Sequence, residues 1–202
     1  MVLEIGRKKN IKRKIYCLLE KVYHFNPWHC DPAETRPYAV WIIHYLNKMI
    51  VAGRIKQGNI IEVGCGLGDI IGSVSWKQGK KGYDLEKEVI SAARWLHPRV
   101  QFQQGTFSDV KSDKNRISCL IMVDFIHTLS PEDLRENIQT MLENNTVDMF
   151  VLDTFSNTQG TVYKYSHDGQ YLYGENYRLV KKSRSFEAAN GARRYVEVWK
   201  RK

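Results

Sequence analysis

Short apolar runs alternate along this chain with stripes at helical spacing. Ile60-Ile61-Glu62-Val63 is a mostly β-branched run of the kind a buried parallel strand presents. Lys80 to Leu85 reads as a short second strand ending in an acid, and Val100 to Gln104 as a third. Ile117 to Val123 is a strong apolar strand, and Val147 to Asp153 a fifth, again ending in an acid. Ala39 to Val51 predicts a helix. Glu86 to His97 predicts another, with Val89, Ile90, Ala93 and Leu96 on one stripe and Pro98 as its stop. Ser130-Pro131-Glu132-Asp133 opens the next, with a serine cap, proline at the first position and acids in the first turn. Tyr177 to Phe186 and Arg194 to Trp199 are β-rich and flank Asn190-Gly191, a hairpin signal.

The first strand runs into Gly64-Cys65-Gly66-Leu67-Gly68-Asp69. Alternating glycines let the backbone turn sharply and approach a ligand with no Cβ in the way. A dinucleotide loop reads G-x-G-x-x-G and sets a pyrophosphate on the following helix. Here the third glycine falls one residue early, at Gly68, and Asp69 takes its place. A free carboxylate there would repel a pyrophosphate. Asp84 lies 22 residues after Glu62, the spacing that places an acid at the tip of the neighbouring strand, in reach of ribose hydroxyls.

The run E-x-G-x-G-x-G from Glu62 to Gly68, with Asp84 beyond it, resembles the first motif of the class I S-adenosylmethionine-dependent methyltransferases. The resemblance spans about residues 35 to 202. It implies an α/β fold: a Rossmann-like, doubly wound sheet of seven strands with a C-terminal antiparallel hairpin. It implies S-adenosylmethionine as cofactor and S-adenosylhomocysteine as product. The positions matching the family's cofactor contacts are Glu62, Gly64, Cys65, Gly66, Gly68, Asp84, Leu85, Thr106, Phe107 and Asp124. Related enzymes place Gly-Asp after the third strand, and that acid meets the adenine amino group. This chain has Gly105-Thr106, leaving the Phe107 N–H and ring, or Asp109, to serve the adenine.

Asp124-Phe125-Ile126-His127 follows the fourth strand, where chemistry in open α/β sheets gathers. His127 is the candidate general base, because a neutral imidazole accepts a hydroxyl proton as the methyl group arrives. Asp124 is its candidate partner. Asp124 and Asp153, with a further oxygen ligand, would suit Mg²⁺, a reading not favoured here. Two aromatic clusters offer an acceptor pocket. Trp28, His29 and Tyr38 lie ahead of the glycine motif, near Arg36. Tyr163, Tyr165, His167, Tyr171, Tyr173 and Tyr177 follow the fifth strand. With Asp153, the candidate acceptor contacts are Trp28, His29, Tyr38, Tyr163 and His167.

Composition fits one core-forming unit of 202 residues. We divide it into a basic amphipathic helix with its cap segment, 1–34, and a cofactor-binding domain, 35–202. Cys17, Cys30, Cys65 and Cys119 are scattered with no C-x-x-C pair, which argues against a zinc site and for a cytoplasmic protein with free thiols. No apolar run approaches the roughly 18 residues of a membrane span. The net charge of +9 sits at the ends: residues 1–25 carry seven basic and two acidic groups, and residues 160–202 ten basic and four acidic. Ile11, Ile15, Leu18, Leu19 and Val22 give the first helix an apolar face. That face packs on the core or on a second copy as a homodimer, or residues 8–22 lie on an anionic membrane. The C-terminal cations read as the solvated face of a hairpin. No Asp/Asn-Pro-Pro-Tyr-type tetrapeptide follows the fourth strand, which disfavours nucleic-acid amino methylation. The leading expectation is methyl transfer to a small molecule or glycan, at oxygen. An RNA methyltransferase or a silent S-adenosylmethionine-binding module is the alternative.

Overall fold

A computed structural model describes residues 2–111 and 116–202, with side chains from residue 10 onward. The chain opens with helix α1 (Val2–Tyr23) and two short 3-10 turns, followed by α2 (Pro37–Val51). Strand β1 (Asn59–Val63), helix α3 (Asp69–Ser73), β2 (Lys80–Asp84), α4 (Lys87–Leu96) and β3 (Gln101–Gln104) come next. β4 (Arg116–Met122), α5 (Pro131–Asn144), β5 (Thr146–Val147) and β6 (Met149–Ser156) complete the parallel part. The chain ends with α6 (Gly169–Tyr173), β7 (Tyr177–Lys182), β8 (Phe186–Glu187) and β9 (Arg193–Arg201).

The sheet runs β3-β2-β1-β4-β6-β9-β7, with the two-residue strands β5 and β8 attached to β4 and β9. Pairings from β3 through β6 are parallel, and β9 is antiparallel to both β6 and β7. The expected seven strands and terminal hairpin are therefore present. Every residue of β1 is buried, as a central parallel strand covered on both faces demands. From β1 the chain winds one way to β2 and β3, then crosses to β4 and winds the other way. The crevice this reversal leaves lies beyond the carboxyl ends of β1 and β4.

Two apolar layers enclose the sheet. Ile42 and Leu46 of α2, Ile71 of α3 and Val89 and Ile90 of α4 pack with Ile60, Ile121 and Val151 on one face. Leu134, Ile138 and Met141 of α5 pack with Ile61, Leu120, Met122 and Leu152 on the other. Tyr16, Leu19, Phe25, Cys30 and Ala33 join the first layer, so the cap segment shares the core of the sheet.

Two expectations need correction. β6 does not end at Asp153 but continues to Ser156, because β9 pairs with it along its whole length and sets Asp153 opposite Val196. The apolar face of α1 is split. Tyr16 and Leu19 turn inward, while Ile11, Ile15, Leu18 and Val22 stay 54%, 38%, 62% and 62% exposed. Tyr16 lies outside the stripe read from periodicity, yet its large buried ring and its hydroxyl bond to Asp69 decide which side of the helix faces the sheet.

Adjacent leucines of α1 should therefore behave differently. Leu19→Ala is expected to cost about 2–5 kcal/mol, as buried Leu-to-Ala changes do, and Leu18→Ala at most about 0.5 kcal/mol. Urea unfolding followed by circular dichroism measures both, and equal losses would contradict the orientation of α1.

Candidate functional site

The glycine loop closes on itself by hydrogen bonds that its sequence allows. Gly64, Gly66 and Gly68 have φ of 67°, 52° and 76°, in the left-handed region. The Cys65 N–H donates to the Tyr83 carbonyl at 3.0 Å, and the Gly66 N–H to Asp84 Oδ2 at 2.8 Å. The other oxygen of Asp84 accepts from the Glu86 N–H at 3.1 Å. Asp84 thus stands at the tip of β2 against the loop after β1, as the spacing predicted. Glu62 Oε2 accepts from the Ile71 N–H at 3.0 Å and ties β1 to α3. Burial pushes the Glu62 carboxyl up to about 8, against the effect of that N–H. Leu85 is exposed next to Asp84 and presents an apolar face beside the loop.

Thr106 and Asp109 cap each other. The Thr106 N–H donates to Asp109 Oδ2 at 2.8 Å, at the start of a 3-10 turn over Phe107–Asp109. Asp109 Oδ2 is engaged in this turn. The Phe107 ring is buried in the core, 6.0 Å from the Phe125 ring.

Asp69 also departs from expectation. Its carboxylate does not confront a ligand, because four groups from the N-terminal segment surround it. Lys12 Nζ stands at 2.8 Å and Arg36 at 3.3 Å. The Ala33 N–H donates at 2.9 Å, and the Tyr16 hydroxyl donates as well. Burial raises its pKa, but Lys12, Tyr16 and Arg36 together outweigh burial and hold it below the ordinary carboxylate range. A carboxylate neutralised in this way does not present a free negative charge to a pyrophosphate. The register of Gly68 still stands against a dinucleotide loop.

The cap segment fastened by Asp69 covers the glycine loop. The Asn26 N–H donates to Glu86 Oε1 at 2.7 Å. His29 Nε2 accepts from the Trp28 indole at 3.0 Å and lies 3.4 Å from Glu86. A Cβ on Gly66 would stand 2.8 Å from His29 Nδ1, so the imidazole rests directly on the loop. Phe125 rests on Gly64 in the same way. Trp28 itself is 70% exposed.

Beyond β4, Asp124 has φ of 75°, a conformation that costs a non-glycine residue energy and persists only where its surroundings impose it. Its N–H donates to Asp153 Oδ2 at 3.0 Å. Its carboxylate accepts from the Tyr38 hydroxyl at 2.8 Å and from Arg194 at 2.6 Å. Arg194 also stands 3.6 Å from Asp153. The guanidinium thus fills the position between the two carboxylates that a Mg²⁺ reading would give to the metal. Among the described residues, no group of three or more His, Cys, Asp or Glu could hold a metal ion. Burial pushes Asp153 up to about 7 against the pull of Arg194, and Asp153 Oδ1 is buried without a hydrogen-bond partner. Burial also raises Asp124, but Arg194, Tyr38 and Arg36 overcome it and leave Asp124 below the ordinary carboxylate range.

Arg194 is the residue that sequence reasoning missed. It is buried, not part of a solvated hairpin face. Its guanidinium carbon lies 3.9 Å from the Tyr38 ring centroid and 4.9 Å from that of Phe155, a cation–π stack. Arg36, noted only as a neighbour of Tyr38, links both acids, reaching Asp69 at 3.3 Å and Asp124 at 3.8 Å. Its Nε and Arg194 Nη1 are buried donors without hydrogen-bond partners. The Arg36-Pro37 step carried a signal for the first: proline at the start of α2 fixes Arg36 as the last residue before the helix.

His127 joins this cluster. Its ring meets Phe155 at 5.6 Å and Tyr163 at 5.0 Å, both edge-on. Burial is the main cause that holds its pKa below 6.5, so the imidazole is neutral at pH 7. Its Nδ1 is buried and unpartnered. Tyr163 stacks on Phe155 at 4.0 Å. The rest of the tyrosine cluster disperses. Tyr173 and Tyr177 pack with Phe150 in the core on the opposite face, and Tyr165 and Tyr171 are exposed. His167 is buried with Nε2 at 2.7 Å from the Ile126 carbonyl, a bond that anchors the loop carrying His127.

No family model matches the chain, and no curated protein matches it. Solved structures do. The magnesium protoporphyrin IX methyltransferase of Synechocystis PCC 6803 with bound SAM superposes with a TM-score of 0.65 at 9% identity, over 98% of this chain and 97% of that one. The N-methyltransferase NodS of Bradyrhizobium japonicum WM9 does so at 0.64 and 9% identity, over 83% and 96%. TehB of Haemophilus influenzae gives 0.60 at 12% identity, over 77% and 62%. Sheet order, terminal hairpin and glycine loop agree with these likenesses: the chain has the fold of the class I S-adenosylmethionine-dependent methyltransferases.

Proposed function

We propose that this chain binds S-adenosylmethionine on the glycine loop and transfers its methyl group to an oxygen of a small molecule or glycan. One observation carries the reading: Asp84, at the tip of β2, accepts a hydrogen bond from the Gly66 N–H in the glycine loop that leaves the neighbouring β1. Each carboxylate oxygen has two acceptor sites. Asp84 can therefore keep its bonds to Gly66 and Glu86 and accept both hydroxyls of a ribose. The left-handed loop brings backbone close to such a ligand, and Leu85 offers an apolar face beside it. The unpartnered Arg36 Nε gives a carboxylate a donor at the other end of the crevice. Admitting a ligand turns the His29 ring off Gly66, and the cap segment then closes over it.

S-adenosylmethionine supplies an electrophilic methyl group on a sulfonium. The residues beyond β4 and β6 do the rest. Arg194 and Tyr38 hold Asp124 in its strained backbone, which fixes where the His127 loop leaves the strand. Neutral His127 takes the proton of the acceptor hydroxyl through a ring nitrogen, and Phe155 and Tyr163 orient the imidazole edge-on. Tyr163, Tyr38 and Trp28 border the acceptor side. Transfer needs the hydroxyl in line with the sulfonium carbon, so this positioning matters as much as the base.

Calorimetry tests the cofactor. S-adenosylmethionine and S-adenosylhomocysteine are expected to bind, and NAD is not. Asp84→Ala and Asp84→Asn should each weaken binding at least about tenfold, a loss of about 1.4 kcal/mol or more. Absence of sulfur-ligand binding by the wild type would remove the proposal.

Kinetics with an acceptor found by screening glycans and phenols tests the base. The rate should fall as pH drops through the His127 pKa, below about 6.5, because protonation removes the acceptor lone pair. His127→Gln should lower kcat by about 10²–10⁴-fold and abolish that acid limb. A limb that survives in His127→Gln would assign the base elsewhere.

A further inference from the structure

We propose that the outer flank of α1 lies on an anionic lipid surface. Ile11, Ile15, Leu18 and Val22 follow one another at intervals of four, three and four residues, which places them on one line of a helix. All four are exposed, by between 38% and 62%. The line runs about 16 Å at 1.5 Å per residue. Its orientation is not accidental. Lys12 and Tyr16 grip Asp69, and Leu19 is buried with them, so the helix cannot roll to hide the stripe without breaking those contacts.

The border of the stripe is basic. Lys14 and Lys21 are exposed, and among the described residues no acid pairs with either. With Arg13 and Leu18 they line a shallow depression of about 480 Å³. Across the whole helix, Val2–Tyr23, seven basic residues face two acidic ones.

Charge and apolarity together select the occupant. A two-fold contact with a second copy would lay this cationic helix on itself, like charge against like. A nucleic acid would satisfy the lysines and leave four aliphatic side chains against a polyanion. An anionic bilayer satisfies both, taking the aliphatic groups at the acyl boundary and the ammonium groups among its headgroups. The proposal does not depend on the methyl-transfer reading.

Co-sedimentation of the full chain with vesicles tests it. Binding is expected to equimolar phosphatidylglycerol and phosphatidylcholine, and little to phosphatidylcholine alone. Lys14→Glu with Lys21→Glu should reduce the bound fraction at low lipid about tenfold or more, and Ile11→Ser with Leu18→Ser should do the same. All four positions are exposed, so circular dichroism and the unfolding midpoint should match the wild type. Ile15→Ser with Val22→Ser is the second pair should the first disturb folding. Two results would each overturn the proposal. They are no binding to anionic vesicles, which a concentration-dependent dimer dissolved by the stripe substitutions would then explain, and binding that stripe substitutions leave unchanged (the behaviour of a polyanion site).

Discussion

The buried carboxylate of Asp69 is the fastening on which the cofactor side of this molecule depends. A lone ionised carboxylate at this depth would be costly, and it is stable only when paired and hydrogen-bonded. Asp69 meets that demand with Lys12 and Tyr16 of α1, the Ala33 N–H of the cap and Arg36 ahead of α2. None of these partners is close to it in sequence. Asp69 follows Gly68 directly, so the group that anchors the first third of the chain also fixes the end of the glycine loop. Loss of this carboxylate would leave the Ala33 N–H and the Tyr16 hydroxyl without their acceptor and Lys12 and Arg36 with only Glu34 and Asp124, at 3.2 and 3.8 Å, as anions, a larger penalty than the contact itself is worth.

A second polar chain extends from the first. Arg36 reaches from Asp69 to Asp124, and Arg194 continues from Asp124 to Asp153. Tyr38 and Phe155 pack on the faces of Arg194 and keep its guanidinium dry. The start of α2, through Arg36 and Tyr38, and the C-terminal hairpin, through Arg194, therefore meet at the carboxyl end of β4. Charges that share partners in a low-dielectric setting respond together, so substitutions along this chain should not be additive.

What could be read from the sequence was what is local. β1, its glycines and Asp84 are fixed by a strand, a turn and a count of residues, and each stands where the pattern put it. The α5 cap at Ser130 is equally local, with its hydroxyl accepting the Asp133 N–H. Arg194 escaped because its meaning lies 70 residues away, at Asp124. A cation on a predicted hairpin looks solvated until the antiparallel register places it between Asp124 and the buried carboxylate of Asp153. Asp153 misled in a related way. An acid after an apolar run reads as a strand end, but pairing with β9 carried the strand on and left the acid buried. In α1, a hydrophobic count could not rank Tyr16 above Ile11 or Leu18, because the hydroxyl bond to Asp69 is invisible to it.

The glycines show where motif reading needs packing as well. They are usually taken as room for a ligand. Here Gly66 is also the seat of His29, and Gly64 the seat of Phe125. A side chain at either position would exclude the cap ring even with no ligand present, on top of the strain of a left-handed backbone. The same bare backbone can meet a cofactor or the ring that covers the loop before one arrives. Those two uses exclude each other at Gly66, where one surface has room for one occupant. The His29 ring, neutral because burial outweighs its neighbouring carboxylates, leaves that surface without abandoning a buried ionic bond. The ring's contact with Gly66 carries no ionic bond, while Asp69 behind it is held by two cations and two hydrogen-bond donors. Buried Phe25 and Cys30 and the Asn26 N–H on Glu86 hold the cap on either side of His29, so the ring can turn off the loop while the segment stays attached.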